Sequence, residues 1–425
     1  MSTDWRAVDY FTDPSLVEDP YPYFDELRAT CPVQREPHHG VVAVSGYDEV
    51  IEIYRDPETF SSCNAVTGPF PGFADAPAGE DINDFITQHR HELPMWEHMV
   101  TMDPPEHTIR RALLMRLLTS KRLRENEDFM WRLADRQIDE FVANGSCEFI
   151  REYSQPFALL VIADLLGVPE EKHDAFRAGL YLTPGAVDAH EERRAKGRNP
   201  LEFLDTWFST YINDRRLIPR NDVLTDLALA RFPDGSTPDV IEVVRTATFL
   251  FAAGQETTAR LLATALKHLA EHPDVQDQLR EDKELIPNFI EEALRIESPV
   301  KSDFRMARRT ASIGGVEIQA GTCVMLLNGA ANRDPDRFEN AQTFQVDRYN
   351  ARAHIAFGRG VHTCPGAPLA RAEGRISIER ILDRLRDIRL SDEHHGSPGN
   401  RRFRYTPTYV LRGLDQLHLT FEPAR

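Results

Sequence analysis

Apolar residues recur at three- and four-residue spacing from Pro105 to about Ala270 and predict a succession of helices. Within that span, Pro156 to Val168 reads P-F-A-L-L-V-I-A-D-L-L-G-V, apolar on nearly every face. It is too short to cross a bilayer and carries Asp164, so it predicts a buried core helix. Residues 241–268 predict another helix, despite two poor mid-helix residues, Gly254 and Thr257. An amphipathic run begins at Ala367, and a short helix is expected over 21–29. Alternating or β-rich stretches at 40–44, 311–327 and 405–421 predict strands. Residues 63–100 are rich in Gly, Pro and Phe without a clean period, which predicts a functional loop. The helical pattern breaks near Thr183-Pro-Gly and at a charged run from Glu191 to Arg198. No linker or repeat interrupts the chain. The expectation is one mainly α (α+β) domain over 1–425, helical over roughly 104–298 and β-rich near 30–60, 300–330 and 400–421.

The 425 residues carry a net charge of −18, which argues against nucleic-acid binding. Five scattered cysteines form no C-x-x-C pair and fit a reducing, cytoplasmic compartment. The first ten residues lack a basic-then-apolar signal pattern, so no membrane anchor is expected.

Candidate chemistry concentrates at Phe357 to Gly366, F-G-R-G-V-H-T-C-P-G. Cys364 lies among Gly358, Gly360 and Gly366, just ahead of the helical run, where the positive end of the helix dipole favours a thiolate. Phe249 to Thr258 reads F-L-F-A-A-G-Q-E-T-T, in which Glu256 and Thr257 place an acid beside a hydroxyl. The Thr257 hydroxyl can bond a carbonyl one turn back and bend the helix. Glu292 and Arg295 stand three apart on a helix, as His107 and Arg111 stand four apart on another.

Together these segments resemble the cytochrome P450 superfamily, in its soluble, bacterial (actinobacterial-like) class I form. The cysteine loop matches F-G-x-G-x-H-x-C-x-G, and Ala253 to Thr258 matches A-G-x-[DE]-T-T. Ala331-Asn-Arg-Asp-Pro335 is a further match, and the likeness extends to Arg412-Gly413. The resemblance implies haem b, held between the two motif helices, with an axial thiolate from Cys364. Phe357, Gly358, Gly366 and Gly254 would lie against it, and His107, Arg111, Arg305 and His362 would hold its propionates. Glu256 and Thr257 would deliver protons during oxygen activation. Glu292, Arg295 and Arg348 would form a buried triad that supports the cysteine loop. Met95, Trp96, Met99, Val100, Phe249, Ala252, Ala253, Val300, Ser302, Val410 and Leu411 would line the substrate pocket, with Phe70 and Phe73 nearby. Residues 180–200 would be a lid hinged at Pro184-Gly185.

The implied activity is hydroxylation or epoxidation of a small hydrophobic terpenoid, steroid, fatty acid or aromatic by O2. Electrons would come from NAD(P)H through a reductase and an iron–sulfur ferredoxin to a monomeric enzyme. Arg110, Arg116, Lys121, Arg122, Arg359 and Arg371 would form the basic docking patch. The lack of an obvious cationic anchor favours neutral substrates, with Lys301 the main objection. Pro365 offers no N–H to the sulfur, so replacing it with leucine is expected to raise the iron's reduction potential. A peroxide-driven variant and a haem sensor or carrier are the alternatives; neither needs the acid–alcohol pair. A metal site among His89, His91, His98 and His107 lacks the H-E-x-x-H spacing.

Overall fold

Glu242 accepts the backbone N–H of Asp239 at 2.9 Å, and Asp239 returns the bond to the first turn. This capping box starts a 32-residue helix, Val240–Glu271, hereafter the long helix. The computed structural model describes residues 5–73, 79–168, 170–173, 202–220, 222–232 and 234–424. The expected lid at 180–200 and the charged run from Glu191 lie outside the described residues.

The long helix packs against Gln155–Leu165, the all-apolar stretch, whose residues are buried except for Gln155 and Asp164. The two meet at Gly254, where a Cβ would come within 2.7 Å of Ile162 Cδ1. Helices Ser120–Phe141 and Ala367–Arg384, the latter hereafter the cysteine helix, join the same apolar core. Helix Ile286–Ile296 carries Glu292 and Arg295. Among the described residues no helix is long and apolar enough to cross a membrane.

Among the described residues, ten short strands form three sheets. The largest pairs β1 (Val33–Arg35), β2 (Val42–Val44), β8 (Cys323–Leu326), β5 (Asp303–Ala307) and β3 (Phe60–Ser61) in that order. Only the β2–β8 pairing is parallel. All three residues of β2 are buried, because it is an inner strand covered on both faces. β6 (Ala311–Ile313) and β7 (Val316–Ile318) form a hairpin whose turn, Gly314-Gly315, takes positive φ at both positions. β4 (Ser146–Glu148), β10 (His418–Pro423) and β9 (Leu385–Leu390) form the third sheet.

The predicted strand over 405–421 is mostly irregular. It contributes isolated bridges at Tyr405 and Leu411 before β10 begins at His418. β4 and β9 escape the sequence pattern, whereas β5 falls in the β-rich stretch expected near 300–330. Both β4 and β9 are short, and β9 continues directly from the amphipathic cysteine helix. Residues 63–100 hold a helix, Asn83–His89, and two single 3-10 turns.

Candidate active site

The cysteine loop is shaped by close backbone approach. Gly360 takes φ +71°, and a Cβ there would lie 2.2 Å from the Tyr54 carbonyl oxygen, so no other residue fits. The Cys364 N–H donates to Phe357 O at 2.8 Å, closing the turn. The sulfur accepts from the N–H groups of Gly366 and Ala367 at the start of the cysteine helix. Burial raises the thiol pKa, opposed by those N–H groups and by Arg111 and Arg371. Pro365, between Cys364 and Gly366, has no N–H to add.

Beside this loop two histidines and two arginines converge. The His107 and His362 rings lie 4.0 Å apart. Both ring nitrogens of His107 and Nε2 of His362 are buried without hydrogen-bond partners. Burial, reinforced by Arg111 and Arg305, lowers His107 to about 4 and His362 to about 2, so both are neutral. Arg111 donates to Thr363 O at 2.5 Å, and Arg305 lies 5.2 Å over the Tyr54 ring and 3.0 Å from Asp303.

The long helix supplies the opposite wall. Thr257 Oγ1 donates to Ala253 O at 2.8 Å, one turn back, as the sequence anticipates. Glu256 pairs with Arg260 at 2.5 Å instead of facing Thr257. One residue escapes the sequence reading. Glu373 of the cysteine helix is fully buried, and burial holds its carboxyl well above the usual range, partly offset by a 3.1 Å bond from the Thr258 hydroxyl. Its second oxygen has no partner. The signal was an acid on the apolar stripe formed by Leu369, Ala372 and Ile376.

These walls enclose a cavity of about 520 Å³. Of the predicted pocket residues, Met95, Met99, Val100, Phe249, Ala252, Ala253, Val300, Val410 and Leu411 line it. So do Arg111, Arg305, His362, Cys364, Phe357, Gly358, Gly366, Gly254, Glu256 and Thr257. Trp96 does not: it lines a smaller outer cleft between residues 96–114 and the long helix. Ser302 does not either, because its hydroxyl points away to donate to Tyr409 O at 2.5 Å. Phe70 packs on Phe11 and His39, and Phe73 on Phe85. His107 stands behind His362 and does not line the cavity. Lys301 is buried near Tyr10, 6.0 Å from that ring's centroid, and also lies outside the lining.

Behind the loop, Glu292 and Arg295 form a two-pronged pair at 2.7 Å, both fully buried. Arg348 donates to the same carboxylate at 3.0 and 3.1 Å, completing the expected triad. The remaining guanidinium protons bind the carbonyls of Asn332, Glu339, Ala341 and Thr343. A neighbouring hub went unforeseen. Burial pushes Glu291 up, but His354 at 2.9 Å and Arg371 at 2.6 Å outweigh it and hold it at about 2.

The expected basic patch is largely neutralised. Arg110, Lys121, Arg122 and Arg371 pair with Glu242, Glu125, Asp226 and Glu291, and Arg359 is tied to loop carbonyls. Arg116 is exposed. His89, His91, His98 and His107 form no three-ligand cluster among the described residues.

A helical fold in which a cysteine loop and the acid–alcohol stretch of the long helix line one cavity defines a haem-thiolate oxygenase. The Cytochrome P450 family model matches residues 202–395. Cytochrome P450 144 of Mycobacterium tuberculosis is 34% identical over 427 residues, covering 99% of this chain and 93% of that protein. The Steroid C26-monooxygenase of Mycolicibacterium smegmatis is 33% identical over 406 residues, covering 94% and 92%. Substrate-free CYP150A6 of Mycobacterium marinum superposes with a TM-score of 0.93 at 59% identity, over 99% of this chain and 100% of that one. CYP109E1 of Bacillus megaterium, solved with corticosterone, gives a TM-score of 0.78 at 28% identity over 95% and 98%. The chain belongs to the cytochrome P450 family and is a P450 monooxygenase. Its cofactor is haem b with a cysteine thiolate as axial ligand. The residues present fit that group. The unpartnered buried Nε2 of His362, beside Arg111 and Arg305, suits its carboxylates, and Cys364 offers the thiolate.

Proposed function

We propose that this monooxygenase hydroxylates or epoxidises a neutral, hydrophobic, steroid-like substrate, with electrons from NAD(P)H through a reductase and a ferredoxin. One observation carries the substrate class: the guanidiniums lining the cavity are Arg111 and Arg305, both at the histidine end, while the remaining wall is mostly apolar. Among the described residues a carboxylate-bearing substrate would find no cation there. Lys301, the earlier objection, is not among the lining residues. The similarity to a steroid C26-monooxygenase and to a P450 solved with corticosterone points the same way.

Haem b, when bound through Cys364, supplies reductive activation of O2 and transfer of one oxygen atom to the substrate. The chain's residues do the rest. The N–H groups of Gly366 and Ala367 hold the sulfur at the mouth of the cysteine helix. His362, Arg111 and Arg305 would anchor carboxylates at one end, with the His107 ring packed against His362. Ala252 and Ala253 leave room beside the Thr257 hydroxyl. Glu256, partly exposed, would leave Arg260 to carry protons inward, and Thr257 would pass them on. This intact pair supports O2 chemistry over the peroxide-driven and sensor readings. The whole chain would act as one domain.

Titrating the ferric holoprotein with steroids, terpenoids, fatty acids and aromatics tests the substrate class. A low- to high-spin Soret shift with steroids, followed by NAD(P)H-dependent product, is expected. A shift confined to fatty acids would overturn it. For the ferredoxin, reversing Arg116 and Lys121 to glutamate is expected to slow reduction most at low salt. An unchanged rate there would remove this docking face.

A further inference from the structure

The long helix ends in a sequence with no part in oxygen chemistry, His268-Leu-Ala-Glu271-His272. We propose that His268, Glu271 and His272 form a binding site for a divalent transition metal, best fitted to Zn2+. The order H-x-x-E-H is the reverse of the H-E-x-x-H spacing weighed above, and one group of zinc enzymes uses it. Residues three and four apart on a helix share a face. Here one ligand atom from each side chain lies within 4.8 Å of the others. No other group of three His, Cys, Asp or Glu side chains among the described residues comes so close.

A second, independent observation points to a ligand. Both ring nitrogens of His268 are buried, and neither has a hydrogen-bond partner. Buried polar atoms are normally satisfied, so an imidazole with two free nitrogens calls for an explanation. The ring is fixed rather than adrift. It stacks on Phe344 at 4.4 Å and lies 11° from parallel with the His272 ring, 6.4 Å away. A metal bound to the unprotonated nitrogen would satisfy that atom without moving the stack.

Location favours a cation. Glu271 is the last helical residue and His272 the C-cap, so the site sits at the negative end of the helix dipole. The adjacent Lys267 ammonium lies 3.9 Å from Glu297, a carboxylate shared with Arg412 at 2.8 Å, so its repulsion is partly offset. Two imidazoles and one carboxylate, with a position left open, suit zinc, copper, nickel or cobalt; calcium and magnesium prefer oxygen-only shells. Eleven residues separate His268 from Thr257, about 16 Å along the helix axis. The metal would therefore tie down the helix end and stay clear of the reacting centre.

The test uses chelator-treated holoenzyme dialysed against zinc at about micromolar concentration, with bound zinc measured by mass spectrometry. One zinc per chain is expected for the wild type, resistant to excess magnesium. His272→Gln, at an exposed position, should bind at least about tenfold more weakly, since even outer partners of metal ligands are worth that much. His268→Gln should do the same. An unchanged Soret band certifies the fold, and His272→Gln alone decides the matter if the buried variant is unstable. Equal zinc binding by His272→Gln and wild type would overturn the site. So would wild type that binds no stoichiometric zinc, or loss of zinc on replacing the stacked His394 and His418 instead.

Discussion

Around Cys364 the chain is tied down by charge. Glu292 is gripped by two buried arginines, Glu291 by a histidine and an arginine, and the spare guanidinium protons reach the backbone carbonyls of residues 332 and 339–343. Across the cavity, Met95, Met99, Val100, Phe249 and Val410 present mostly apolar surface. Directional bonds fix one geometry, whereas apolar contact tolerates many shapes of similar volume. The thiolate side is thus built for one ligand position and the distal side for an adaptable hydrophobic guest.

Removing the anchor should have the largest effect. Glu292→Ala leaves two buried guanidiniums unpaired, which costs about 3–5 kcal/mol. We expect little haem-loaded protein, read from the carbon-monoxide difference spectrum and the urea midpoint. Thr257→Ala strikes the hinge between the two sides. Proton delivery of this kind is worth about 10²- to 10⁴-fold, so product formation should fall by at least about 10²-fold while the Soret band is unchanged. On the distal side, Phe249→Ala should weaken substrate binding by about tenfold, with a smaller change in Tm than the triad variant causes. A collapse of Tm equal to that of Glu292→Ala would erase the contrast.

Glu373 sharpens the comparison through pH. Its folded-state pKa is raised, so between the ordinary carboxylate value and the folded value only the native state holds the proton. Stability therefore falls as pH rises through that window. Glu373→Gln removes the penalty, and its Tm advantage should grow from pH 4 towards neutrality. A gain that shrinks with rising pH would contradict the assignment. The smallest effect is reserved for Pro365→Leu, which offers the sulfur a third neighbouring N–H. A modest rise in reduction potential on redox titration is expected; no change, or a fall, would sink the idea.

The legible parts of the site were those in which local chemistry repeats in a short stretch. Gly360 was readable because it stands with Gly358 and Gly366 around Cys364, although the Tyr54 carbonyl that requires it was not, and Thr257 because its hydroxyl bonds four residues back. Trp96 and Ser302 were misplaced for a shared reason. Each neighbours true lining residues, but sequence proximity does not say which way a loop or bridge residue points. Glu373 was overlooked because its meaning depends on Thr258, far away in the chain. The arginines of the basic patch looked free only while their acidic partners, tens to hundreds of residues distant, were unseen.

Composition, period and motif by themselves determined the helical class, the long helix, the buried apolar helix and the thiolate loop, because each is written in residues close along the chain. Tertiary structure alone decided which side chains share the cavity, which charges are spent in pairs, and where His268 finds itself buried without a partner. Those outcomes depend on long-range contacts whose energies are set by burial and geometry, and no local pattern encodes them.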